Sequence, residues 1–132
     1  MTHSICSFVL LGLFVSSVLT GCGKKPEAEP VVTAQPPKPA EAASQLSQAF
    51  SAADQELKTV ADAASTALQT ADYEAAVQSL SMMKERGSLT VDQGIAVHNS
   101  MVSLETRLIN AIAAGDANAK RAYEQLKKSR KN

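Results

Sequence analysis

Thr90-Val91-Asp92-Gln93-Gly94-Ile95-Ala96-Val97-His98-Asn99-Ser100-Met101-Val102-Ser103-Leu104-Glu105-Thr106-Arg107-Leu108-Ile109-Asn110-Ala111-Ile112-Ala113-Ala114-Gly115-Asp116 reads as one long amphipathic helix between a start and a stop signal. Thr90 is placed to accept from the amide of Gln93, and Gln93 to reach back to the amide of Thr90, as in a capping box. Val97, Met101, Leu104, Leu108 and Ile112 recur at steps of three and four residues, the spacing that lines one face of a helix. A side stripe of Ile95, Val102 and Ile109 runs beside them. His98 falls with that stripe, which predicts a packing or boundary role for it. At Gly115-Asp116 the chain turns.

The same reading extends in both directions. Residues 41 to 132 hold 19 alanines, three glycines and no proline, a composition that favours helix throughout. Upstream, Leu46, Phe50, Ala53, Leu57, Val60, Ala64, Ala67 and Ala71 form a heptad stripe, so one helix is predicted from about Ala42 to Thr70. A second runs from about Asp72 to Arg86, with Tyr73, Ala76, Val77, Leu80 and Met83 on one face and Gly87 ending it. Downstream, Ala119, Ala122, Tyr123 and Leu126 mark a last short helix. The expected fold is all-α, an antiparallel bundle of three to four helices that can be grouped as two α-hairpins.

A shift of 44 residues lays Leu57, Val60, Ala64, Leu68, Ala71 and Asp72 on Met101, Leu104, Leu108, Ile112, Gly115 and Asp116. A further two-residue offset brings Ala76 and Leu80 onto Ala122 and Leu126. Either two hairpins of similar design or a chance overlay of amphipathic helices accounts for this. The run Ala71-Asp72-Tyr73-Glu74-Ala75-Ala76 resembles the start of the second helix in tetratricopeptide-type repeats. It departs from them in period and in lacking most of their aromatic and glycine signature.

The N-terminal part has a different character. Ile5 to Leu19 is a mostly apolar stretch, shorter than the roughly 20 residues that span a bilayer and suited to the h-region of a signal peptide. It is followed by Leu19-Thr20-Gly21-Cys22, which resembles the lipobox of bacterial lipoproteins, although the n-region Met1-Thr2-His3-Ser4 carries no Lys or Arg. That resemblance covers only the leader and anchor. It implies that residues 1–21 are removed, that Cys22 is lipidated and later acylated, for example with palmitate, and that the product is held at the cell membrane or outer membrane, its domain facing periplasm or exterior. Gly23 in place of Asp argues, by the same resemblance, against inner-membrane retention. Two or three acyl chains would hold durably where one is marginal. All five prolines lie between residues 23 and 40. Residues 22–40 are thus a lipidated Cys and a Pro-rich linker, long enough at about 3.1 Å per residue to span roughly 50 Å.

The chemistry available to residues 41–132 is sparse. His98 is the one histidine outside the leader, and no carboxylate pair stands at helical spacing from it, so no metal site is expected. Ser100 and Ser103 do not share its helical face, which removes the obvious nucleophiles. The acids are spread singly, and no phosphate loop, nucleophile elbow or calcium loop is present. An enzyme, a cofactor and a small-molecule substrate are not expected. Met82, Met83 and Met101 are read as core filling. The formal net charge of zero gives no electrostatic argument for nucleic acid as a partner, and none is expected.

That zero is a sum of unlike parts. Residues 41–116 carry ten acids and four bases, net −6, while residues 117–132 carry six bases and Glu124, net +5. Lys120, Arg121, Tyr123, Lys127 and Lys128 are therefore the candidate contact residues, for an envelope protein, a cell-wall polymer or anionic headgroups. The alternative use of the cations is to offset the dipole of the last helix. The sequence thus predicts a lipid-anchored envelope lipoprotein whose helical domain is a protein-interaction or structural module. Its alternatives are a link from membrane to cell wall through the basic helix, or an accessory subunit of an envelope enzyme. A short helical lipoprotein with a basic end is also similar to the major outer-membrane lipoprotein joined to peptidoglycan through a terminal Lys, but here the chain ends Arg130-Lys131-Asn132.

Overall fold

A computed structural model describes residues 35–131. The leader, Cys22 and most of the Pro-rich linker lie outside the described residues, and so do the expectations made for them. The described residues form an all-α bundle of five helices: α1 (Pro39–Ala49), α2 (Gln55–Thr70), α3 (Tyr73–Glu85), α4 (Val91–Ala113) and α5 (Ala117–Ser129). None of these helices is long and apolar enough to cross a membrane.

Five helices stand where three to four are expected, because the stretch from Ala42 to Thr70 is broken. Phe50 closes α1, and Asp54 opens α2 by accepting from the amide of Leu57 at 2.9 Å. The heptad stripe survives the break: Leu46, Phe50, Leu57, Ala64 and Ala67 are all buried. A single helix of 29 residues would extend about 43 Å, well beyond the roughly 34 Å of α4. Folding α1 back against α2 lets both halves bury their stripe within the length of α4.

Helix α1 packs against both α2 and α4, and α3 packs against α2, α4 and α5. The core consists of Leu46, Phe50, Leu68, Leu80, Met83, Leu104, Leu108 and Leu126 in contact with a bed of alanines. Small residues at the helix contacts permit close approach, and two of the three buried serines, Ser65 and Ser100, use their hydroxyls to tie helices together. Ser65 donates to the carbonyl of Ala43 at 3.0 Å and accepts from Ser47 at 2.9 Å, joining α2 to α1. Ser100 donates to the carbonyl of Ala42 at 3.4 Å, joining α4 to α1.

The start of α4 is as the sequence requires. Gln93 N donates to Thr90 Oγ1 at 3.3 Å, and Thr90 N donates to Gln93 Oε1 at 3.0 Å. Gln93 also donates from Nε2 to the carbonyl of Ala49, so the same residue that caps α4 ties it to the end of α1.

The 44-residue relation holds in the turns. Helices α3 and α5 each have 13 residues and begin 44 apart, at Tyr73 and Ala117. Each follows a residue in the left-handed region, Ala71 at φ 61° and Gly115 at φ 89°, and each is N-capped by an aspartate, Asp72 or Asp116. The amides of Asp72 and Asp116 donate to the carbonyls of Ala67 and Ala111, both at 3.0 Å. The buried faces then diverge. Ala76 and Leu80 of α3 correspond in burial to Ala122 and Leu126 of α5, two residues further on, so α5 is rolled about its axis by about 200° relative to its start. The neighbours differ as well: α3 packs on α2, α4 and α5, and α5 packs mainly on α3 and α4.

Candidate interaction surface

Helix α5 is anchored by small and apolar residues and leaves its cations outside. Ala119, Ala122 and Leu126 are buried, at 0%, 0% and 1% exposure. Lys120, Arg121, Lys127 and Lys128 are exposed, and Tyr123 is half-buried against the core. Lys127 Nζ stands 5.1 Å from the centre of the Tyr123 ring, over its face. This contact orders an exposed lysine at a cost in entropy that cation–π attraction of about 0.5–1 kcal/mol offsets.

The predicted contact residues therefore divide. Arg121 is drawn toward α3: its Nε donates to Glu74 Oε1 at 3.2 Å and its terminal nitrogen to Asn118 Oδ1 at 2.5 Å. It belongs to a polar recess of about 330 Å³ lined by Asp72, Glu74, Asp116 and Asn118, where the starts of α3 and α5 meet. Lys127 and Lys128 lie instead at the other end of α5, beside Arg130 and Lys131. Arg130 grips Glu105 of α4 with both terminal nitrogens, at 2.9 and 2.7 Å. Those two hydrogen bonds, more than the charge alone, hold the Arg130 guanidinium above its already high ordinary pKa.

The three ion pairs of the described residues use Arg86 with Glu56, Arg121 with Glu74 and Arg130 with Glu105. Each arginine joins two helices or their ends, while Lys120, Lys127, Lys128 and Lys131 take part in none of them. The guanidinium, with its fork of donors, suits the structural role, and the lysines are left as point charges toward solvent. Among the described residues no group of three or more His, Cys, Asp or Glu is gathered as metal ligands.

Two expectations are corrected on α4 and α3. His98 is exposed and takes no packing role, because the side stripe to which it belongs faces solvent: Ile95 and Ile109 are 53% and 51% exposed. Met83 and Met101 are buried as core filling, but Met82 is 46% exposed. Sequence reasoning also missed Arg107, which donates to the carbonyl of Leu68 at 2.8 Å and lies 5.9 Å from the Tyr73 ring centre. It satisfies a carbonyl at the end of α2 that has no partner within its own helix. A cation two helices away in sequence gives no local signal for such a bond.

No protein-family profile matches this chain, and no curated protein or solved structure matches it.

Proposed function

We propose that the chain is an envelope lipoprotein, held to a membrane by acyl groups on Cys22, whose helical domain is an interaction or structural module with α5 as its contact surface. The leader and Leu19-Thr20-Gly21-Cys22 support the anchor, and the Pro-rich linker supports a domain held away from the bilayer. The observation that carries the contact reading is the separation of charge. The acidic body is joined to α5 by arginines, while Lys120, Lys127, Lys128 and Lys131 take part in none of the ion pairs among the described residues. An acidic envelope protein, or an anionic polymer of the cell wall, fits such a face.

Labelling with radioactive palmitate tests the anchor: wild type should be labelled and Cys22→Ala should not. Equal labelling of the two defeats it. The contact reading is tested by sedimenting the chain with purified sacculi or with anionic vesicles. Lys120→Gln, Lys127→Gln and Lys128→Gln together should weaken co-sedimentation at least several-fold with the helical circular dichroism spectrum unchanged. Undiminished binding removes α5 as the contact surface.

A further inference from the structure

Helix α4 has two apolar faces. One is the core face through Val97, Met101, Leu104 and Leu108, and the other is its reverse. Among the described residues four large apolar side chains are exposed, and three of them, Val91 (78%), Ile95 (53%) and Ile109 (51%), lie on that reverse stripe. Val102 is half-buried at its middle and Ala113 is exposed at its end. The stripe from Val91 to Ile109 runs along about 27 Å of helix. Single exposed apolar residues are ordinary, whereas a row of β-branched side chains repeated every two turns along one helix face offers a contact line to a second helix.

The spacing of the stripe names the partner. Measured from Val102, Ile95 and Ile109 lie seven residues to either side, and Val91 and Ala113 lie eleven to either side. The pattern therefore reads the same in both directions. An antiparallel two-fold contact makes use of this property, since each apolar residue before the axis then meets an apolar one after it on the other copy. We propose that α4 pairs antiparallel with α4 of a second copy of this chain about a two-fold axis at Val102. In that register Val102 meets itself, Ile95 meets Ile109 and Val91 meets Ala113. A seven-residue step keeps Ile95, Val102 and Ile109 on one face of two supercoiled helices.

Two flanking features agree with this register. His98 and Glu105 lie on the same flank of the stripe, four residues before and three after the axis, so the imidazole of each copy stands across from the carboxylate of the other. The opposite flank carries Asn99 and Thr106, which are uncharged. No two carboxylates meet at these positions, and each Glu105 also holds Arg130 of its own chain.

The stripe is about 10 Å wide, so it offers roughly 300 Å² a side before flanks are counted, less than the roughly 800 Å² of a standard interface. The pairing is thus a concentration-dependent one. It rests on the described helices and not on the lipid anchor, so the two readings fail separately.

Cysteine crosslinking of the full chain with Cys6→Ser and Cys22→Ser tests it in mild detergent. At an interaxial distance of about 9–10 Å, facing Cα atoms come within about 4.4–5.4 Å, inside disulfide range. Val102→Cys should give a disulfide dimer under mild oxidation, and the exposed position Gln78→Cys on α3 should not. Ile95→Cys and Ile109→Cys should crosslink when the two variants are mixed and much less when each is alone. Crosslinking of Ile95→Cys with itself would indicate a parallel pair and overturn the proposal, as would equal yields at Val102 and Gln78. Without oxidant, sedimentation velocity should show dimer rising with concentration, and Val102→Lys should raise the dissociation constant by about tenfold or more with helicity retained. A chain that stays monomeric at all concentrations also overturns it.

Discussion

Ala71 holds φ 61° and ψ 29° at the end of α2, while the equivalent turn after α4 uses Gly115 at φ 89°. A side chain with a Cβ costs about 1–2 kcal/mol in the left-handed region. Replacing Ala by Gly also loosens the unfolded chain, which costs about 0.4–1 kcal/mol. The difference predicts that Ala71→Gly stabilises the domain by about 0.5–1 kcal/mol. Gly115→Ala should destabilise by a similar amount, and the cost is conformational, because an added Cβ at Gly115 meets no atom within 4 Å. Urea unfolding followed by helical circular dichroism reads both. With a slope of about 1.5 kcal/mol/M, Ala71→Gly should raise the midpoint by about 0.3–0.7 M and Gly115→Ala should lower it by as much. The slope itself should not change, since neither variant alters the buried surface. A lower midpoint for Ala71→Gly, or an unchanged one for Gly115→Ala, would refute the argument that these two turns share one backbone geometry and one energetic cause.

Ser65→Ala should lose about 1–2 kcal/mol, since it removes a hydroxyl that both donates and accepts across α1 and α2. Ser103 is 2% exposed, and its hydroxyl has no hydrogen-bond partner among the described residues, so Ser103→Ala should be neutral or stabilise by up to about 1 kcal/mol. Thermal melts of the two variants should therefore move apart, and a fall for both would contradict the assignment. Arg130→Gln should cost at most about 1 kcal/mol, because the pair with Glu105 is partly exposed and screened. Its folded-state pKa is raised, so this contribution is fully present below the ordinary arginine value and is lost only as pH rises beyond it. The difference between wild type and variant should hence be flat from about pH 6 to about pH 10. A difference that vanishes inside that window would point to another group.

The helices legible in the sequence are those whose ends carry a local chemical signal. Thr90 with Gln93 and the turns at Ala71-Asp72 and Gly115-Asp116 are such signals, and the boundaries of α3, α4 and α5 follow from them. The break between α1 and α2 was hidden because Phe50, Ala53 and Leu57 continue the heptad through it, so periodicity alone cannot see the chain reverse. Asp54 was the available signal: an aspartate three residues before Leu57 is an N-cap candidate. The candidate surface was legible in composition, as a basic last segment. Its division was not. Which cations are consumed by Glu74 and Glu105 depends on contacts across 47 and 25 residues.

The exposed stripe of α4 and the basic face of α5 constrain each other. Gln93, Asn99 and Ser100 turn toward α1, while Glu105 turns toward the end of α5, so these two neighbours lie on opposite flanks of α4. The chain enters on the flank of α1, where Gln35, Pro36 and Pro37 lie beside Ser103, Thr106 and Asn110. A two-fold axis normal to a pair of antiparallel helices keeps each flank on its own side. Pairing about Val102 would put both chain entries on one side of the dimer and both α5 helices on the other. On the proposed anchor, α5 with its lysines would then lie on the side of the pair away from the headgroups. Sacculi should then compete better than anionic vesicles for the anchored chain, and Val102→Lys, by releasing the pair, should reduce that preference without touching a single lysine of α5.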